Sequence, residues 1–213
     1  MRISLRAVII TSVFLLLFSV SASADTVALS DIVGGTLYTS ASDQLYGWVF
    51  SVGTPITVTS LGVYDSAGDD GLSIPHDVGI YLQSDESLLE SVTVPSGTSG
   101  TLIDGFRYES VSPFALAADT YVIVMTMPAF NADTQWAEVS SFSTASGITY
   151  LNSAIDDGGS LHFPDPAFNG LYAPGFFGPN FTFTSSTVPE PSTYSALGLG
   201  LAALLAFARR RRA

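Results

Sequence analysis

Cysteine and lysine are both absent from this 213-residue chain. Without cysteine there is no disulfide staple, no thiolate nucleophile and no cysteine zinc site, so stability has to come from a packed core. Without lysine, all positive charge rests on seven arginines, with Arg2 and Arg6 near one end, Arg209 to Arg212 at the other and Arg107 between them. Setting both ends aside leaves Arg107 against eighteen acids, a charge of −17. So acidic a domain cannot neutralise phosphates, which excludes nucleic acid and disfavours anionic lipid surfaces. Cations and neutral polymers are the partners its charge allows, and solubility alone explains the same composition.

Histidine is scarce as well, limited to His76 and His162. Neither belongs to an H-E-x-x-H pair, and no G-x-S-x-G elbow accompanies them, so no enzyme is expected. Eighteen acids always offer some pair of carboxylates for glycoside hydrolysis, but such a pair acts only at the right separation in space. A hydrolase therefore stands as the weakest of three functional readings.

Both ends carry addresses. Arg2 and Arg6 precede an apolar run from Ala7 to Val20, and Ala22-Ser23-Ala24 supplies the small-x-small pattern that signal peptidase accepts. Residues 1–24 thus read as a signal peptide cut between Ala24 and Asp25, and residues 25–188 as one exported domain. At the other end, Pro189-Glu190-Pro191 is followed by an uncharged stretch, Tyr194 to Ala208, and then by Arg209, Arg210, Arg211 and Arg212. As a helix that stretch would be about 22 Å long, against a hydrocarbon core of roughly 30 Å, which makes it a marginal span suited to transient anchoring in the inner membrane. The arginines should stay cytoplasmic, placing the acidic domain on the outer side. The two prolines hold the linker extended and present Glu190 to a processing enzyme.

Between Leu45 and Met127 the apolar residues alternate. Trp48, Phe50 and Val52 form one run, Leu102, Phe106 and Tyr108 another, and Tyr121, Ile123 and Met125 a third. Further runs at Ile56 to Tyr64, Val78 to Leu82, Leu88 to Val94, Gln135 to Val139, Ile148 to Leu151 and Phe181 to Phe183 give about nine strands. Prolines 55, 75, 95, 113 and 128 are placed between them, and no long amphipathic helix is evident. The expected fold is all-β, an antiparallel sandwich of jelly-roll type, flanked by the signal peptide and a single C-terminal hydrophobic helix.

The motif, apolar stretch and arginine cluster, in that order from Val188 to the end, resemble the PEP-CTERM sorting signal. The resemblance implies handling by an exosortase, a membrane cysteine transpeptidase of Gram-negative bacteria that make exopolysaccharide, with cleavage near the motif. It also implies a membrane-anchored intermediate that ends at the cell surface or in the extracellular matrix. The segments Leu61-Gly62-Val63-Tyr64, His76-Asp77-Val78-Gly79-Ile80, Gly105-Phe106-Arg107-Tyr108 and Phe177-Gly178-Pro179-Asn180-Phe181 resemble β-sandwich domains of unknown function common in such proteins. Those domains carry no activity to transfer.

Three features of the domain itself invite chemistry. The acids Asp65, Asp69 and Asp70 on a glycine loop, with Asp77 beyond, offer oxygen ligands for a structural calcium or else form a solvated turn. The stretch Asn152 to Asn180 reads as a long irregular loop whose rings, Tyr172, Phe176 and Phe177 among them, either stack on a sugar or pin the loop to the sandwich. Arg107 is expected to pair with an acid. The leading reading is a non-catalytic surface or exopolysaccharide-matrix protein with no obligatory cofactor, and the second is a carbohydrate-binding module.

Overall fold

The computed structural model describes residues 25–66, 68–166 and 170–185, together with 198 and 200; the side chain of Asp69 is not described. The signal peptide up to Ala24, the Pro189-Glu190-Pro191 motif, the apolar stretch and the terminal arginines all lie outside the described residues. Among the described residues no helix is long and apolar enough to cross a membrane.

Among the described residues the fold is all-β, with fourteen strands: β1 (Thr26–Val27), β2 (Leu29–Val33), β3 (Thr36–Tyr38), β4 (Gln44–Val52), β5 (Ile56–Tyr64), β6 (His76–Leu82), β7 (Leu88–Val94), β8 (Thr101–Ile103), β9 (Phe106–Leu116), β10 (Thr120–Met127), β11 (Gln135–Ala137), β12 (Ser141–Thr144), β13 (Ile148–Asp157) and β14 (Pro179–Ser185). One antiparallel sheet has the order β1-β14-β5-β9-β8 and the other β13-β4-β10-β6-β7. The chain crosses between the sheets from β4 to β5, β5 to β6, β7 to β9 and β9 to β10, while β6 and β7 form a hairpin within one sheet, so β1, β14, β5 and β9 face β4, β10, β6 and β7 in the double Greek-key order of a jelly roll. β8 and β13 extend the two sheets at their edges, and two short ribbons, β2–β12 and β3–β11, lie beside them.

The core forms where the alternating faces of the two sheets meet. Trp48 and Phe50 from β4 stack with Phe181 from β14, at ring-centroid separations of 6.1 and 5.0 Å. All three rings are fully buried, and each contributes roughly 1.5–3 kcal/mol through the apolar area it removes from water. The Trp48 indole also donates to the Pro179 carbonyl at 2.9 Å, so its one polar atom is satisfied. Gly47, next to Trp48 on β4 and in register with Val124, leaves no room for a side chain: a Cβ there would lie 1.9 Å from the Ile123 carbonyl oxygen.

Three strand expectations need correcting. Leu102 and Phe106 belong to different strands, because Asp104 and Gly105, both at positive φ, make the tight turn that joins β8 to β9. Pro113 does not separate strands but lies inside β9, at the irregularity where register with β5 shifts between Val58 and Ser60; a bulge tolerates the missing donor. The strand β13 runs on to Asp157, so Asn152 to Asp157 is paired sheet rather than loop.

The connections give the sandwich two unlike poles. At one pole are the short turns 53–55, 83–87, 117–119 and 145–147; at the other are the longer loops 65–75, 95–100, 128–134 and 158–178.

Candidate functional site

At the loop pole, Arg107 projects from β9 on the side opposite Phe106 and Tyr108 and is roofed by two loops. Its Nε donates to Asp65 Oδ2 at 2.7 Å, Nη1 donates to the carbonyls of Thr98 and Gly100, each at 3.1 Å, and Nη2 donates to the Gly68 carbonyl. Leu72 and Gly97 exchange backbone hydrogen bonds above it, joining the two loops. The expected pairing with an acid is present, and it engages a residue read as a calcium ligand. Asp65 is buried, its Oδ1 accepts the Gly68 amide at 3.0 Å, and its charge is met by a guanidinium. Asp70 is exposed, and exposed Asp77 on β6 accepts the Thr93 hydroxyl at 2.6 Å. Among the described residues no group of three or more histidines and acids could hold a metal ion.

His76 is not the turn residue that its neighbour Pro75 suggests. It opens β6 completely buried, with Nδ1 2.7 Å from the Thr126 carbonyl and Nε2 2.9 Å from Asp133 Oδ2. Asp133 also accepts the Ser73 amide at 2.8 Å and the Ser73 hydroxyl at 2.7 Å. Burial raises the Asp133 carboxyl, but the bonds from His76 and Ser73 outweigh it and hold the group below its ordinary value. Serine, acid and histidine are thus adjacent in the wrong order for nucleophilic catalysis, since the hydroxyl donates to the acid and not to the imidazole.

Of the three rings that could either meet a sugar or pin the loop, two are pins. Phe177 is fully buried against Trp48 and Phe142, and Phe176 packs on Tyr46 at 4.7 Å, so neither can meet a sugar face. Buried aromatic area here holds the loop to the sandwich. The same loop folds back over the outer face of the second sheet, where Leu161 and Phe163 cover Val49, Tyr81, Val122, Val124 and Ala154. His162 sits between those two residues, with Nε2 3.3 Å from Asp156 Oδ2.

Tyr172 remains half exposed, at 50%. It adopts a φ of +56°, and its ring is braced edge-on by Phe176 at 5.6 Å and at a tilt by Tyr38 at 6.2 Å. Beside it opens a cleft of about 210 Å³ lined by Gln44, Ile155, Asp156, Asp157, Leu171 and Tyr172. The polar wall is organised before any ligand arrives: Gln44 Nε2 donates to Asp157 Oδ1 at 3.2 Å, and Gln44 Oε1 accepts the Ser40 hydroxyl at 2.9 Å and the Tyr46 phenol. Burial pushes that phenol above its ordinary value, so it stays a donor. An exposed ring beside fixed amide and carboxylate groups can take the apolar face of a neutral sugar and hydrogen-bond its hydroxyls. A second cleft at the loop pole, about 290 Å³, is lined by Tyr64, Trp136, Asp31 and Asp104 among others. Gln44 escapes a sequence reading because its partner Asp157 is brought to it only by the register of β4 with β13.

Comparison with known proteins adds two findings. Residues 187–212 match the PEP-CTERM protein-sorting motif, which begins just beyond β14. Among solved structures, a family 35 carbohydrate-binding module from an environmental isolate aligns over 62% of this chain and 94% of its own, at 18% identity and a TM-score of 0.30, a likeness too slight to bear on function. No curated protein matches the chain in sequence.

Proposed function

We propose that this is an exported, non-catalytic β-sandwich protein, held for a time at the inner membrane by its tail, processed by an exosortase, and left at the cell surface or in an exopolysaccharide matrix. The observation that carries this reading is the PEP-CTERM sorting motif at 187–212, directly after the last strand of a folded all-β domain. Support for the absence of catalysis comes from the two histidines: His76 is sealed in the core with both ring nitrogens engaged, and His162 latches a loop. The test is to express the tagged chain with and without exosortase and to weigh the product. Loss of the tail in the first strain, and its retention both in the second and in a Pro189-Glu190-Pro191 to alanine variant, is the expected result. An intact tail in every strain refutes the proposal.

The half-exposed Tyr172, with Gln44 and Asp157 beside it, favours a second reading in which the domain also binds a carbohydrate. Its net acidity makes a neutral glycan a better partner than a polyuronate. Binding on a glycan array that is lost in Tyr172→Ala supports this; binding that survives the substitution removes the cleft from consideration.

A further inference from the structure

β14 ends at the pole of short turns, because Ser185 pairs with Ile56 at the start of β5, and Ile56 pairs with Leu116 at the end of β9. The other end of the mature chain leaves at the same place: Thr26, the second residue after the expected signal cut, pairs with Phe183. Antiparallel pairing of the first strand with the last therefore brings both membrane-directed segments to one corner of one sheet. The linker to the tail is short. Eight residues, 186–193, with Pro189 and Pro191 among them, separate Ser185 from the apolar stretch that begins at Tyr194, so at no more than about 3.5 Å per residue that stretch starts within about 32 Å of the folded domain. β5 has nine residues, so the loop pole lies about 30 Å further out along the strands.

We infer that the pole formed by turns 53–55, 83–87, 117–119 and 145–147 faces the bilayer while the tail is attached, and that the loop pole, with both clefts, points away from it. The inference rests on the tail acting as a membrane anchor. It adds an orientation that the anchor alone does not determine, since a long linker would let the domain tumble. The chemistry of the pole opposes insertion into the bilayer. Thr54, Pro55, Ala118 and Ser146 present no large apolar side chain, and Asp85, Glu86 and Asp119 oppose close contact with lipid headgroups.

The absence of native cysteine makes the test direct. Single cysteines are introduced into the full chain at Ala118 or Ser146 on the turn pole, and at Ser99 or Phe130 on the loop pole. All four positions are exposed. Each variant is labelled with a fluorophore in membranes from cells lacking exosortase, and energy transfer to a headgroup-attached acceptor is measured. Transfer at Ala118 and Ser146 should exceed that at Ser99 and Phe130 several-fold. Inserting about twenty glycine and serine residues after Ser185, a coil of about 25 Å root-mean-square span, should abolish the difference. Equal or reversed transfer in chains that sediment with membranes overturns the orientation, as does a difference that survives the insertion. Chains that fail to sediment with membranes overturn the anchoring reading as well.

Discussion

Arg107 Nε donates to Asp65 Oδ2 across 2.7 Å, and the two side chains are only 5% and 1% exposed. Removing one member leaves the other as an uncompensated buried charge, so Asp65→Asn or Arg107→Leu should destabilise the domain by about 3–5 kcal/mol. Replacing both with leucine should cost less than either single change. Chemical denaturation of the three variants checks this.

Engagement of Asp65 by Arg107 leaves the neighbouring acids without their most buried member. Calcium added to the purified domain, or removed with a chelator, should therefore leave the thermal midpoint unchanged. A rise of several degrees in calcium would mean that Asp69, Asp70 and Asp77 hold an ion unaided.

Asp133 contributes a pH dependence whose sign is set by its lowered carboxyl. A group depressed in the folded state stabilises fully above its unfolded value and loses that contribution as pH falls through the folded one. The native domain should lose melting temperature below about pH 4. In Asp133→Asn the midpoint at neutral pH should be lower and the acid-side slope shallower, which melting curves across the acid range will show.

The aromatic loop separates packing from recognition. Phe177→Ala removes a fully buried ring and should cost about 3–5 kcal/mol. Tyr172→Ala, at a half-exposed position, should cost under about 1 kcal/mol. Parallel denaturation and glycan-binding measurements on the two variants distinguish a structural ring from a recognition ring.

Gly47→Ala should disrupt the pairing of β4 with β10, because the added methyl meets the Ile123 backbone and not a movable side chain. Overpacking of this kind costs about 1–3 kcal/mol or more. Hydrogen exchange at Val122 to Val124 should rise in step.

Residue order alone determined the all-β class, the alternation that buries Trp48 and Phe50, and the address at 187–212, because each depends on near neighbours in the chain or on composition. The early ribbons β2 and β3 were illegible, since short exposed strands such as Thr36–Tyr38 lack a buried alternating face. His76 beside Pro75 looked like a turn, and Phe176 and Phe177 were open between packing and meeting a sugar, for the same reason: burial depends on which distant strand arrives opposite. Only tertiary structure decided that Arg107 meets Asp65, that Gln44 meets Asp157, and that the first and last strands share a corner. Those relationships join residues far apart in sequence, and strand register, which carries no local signal, is what brings them together.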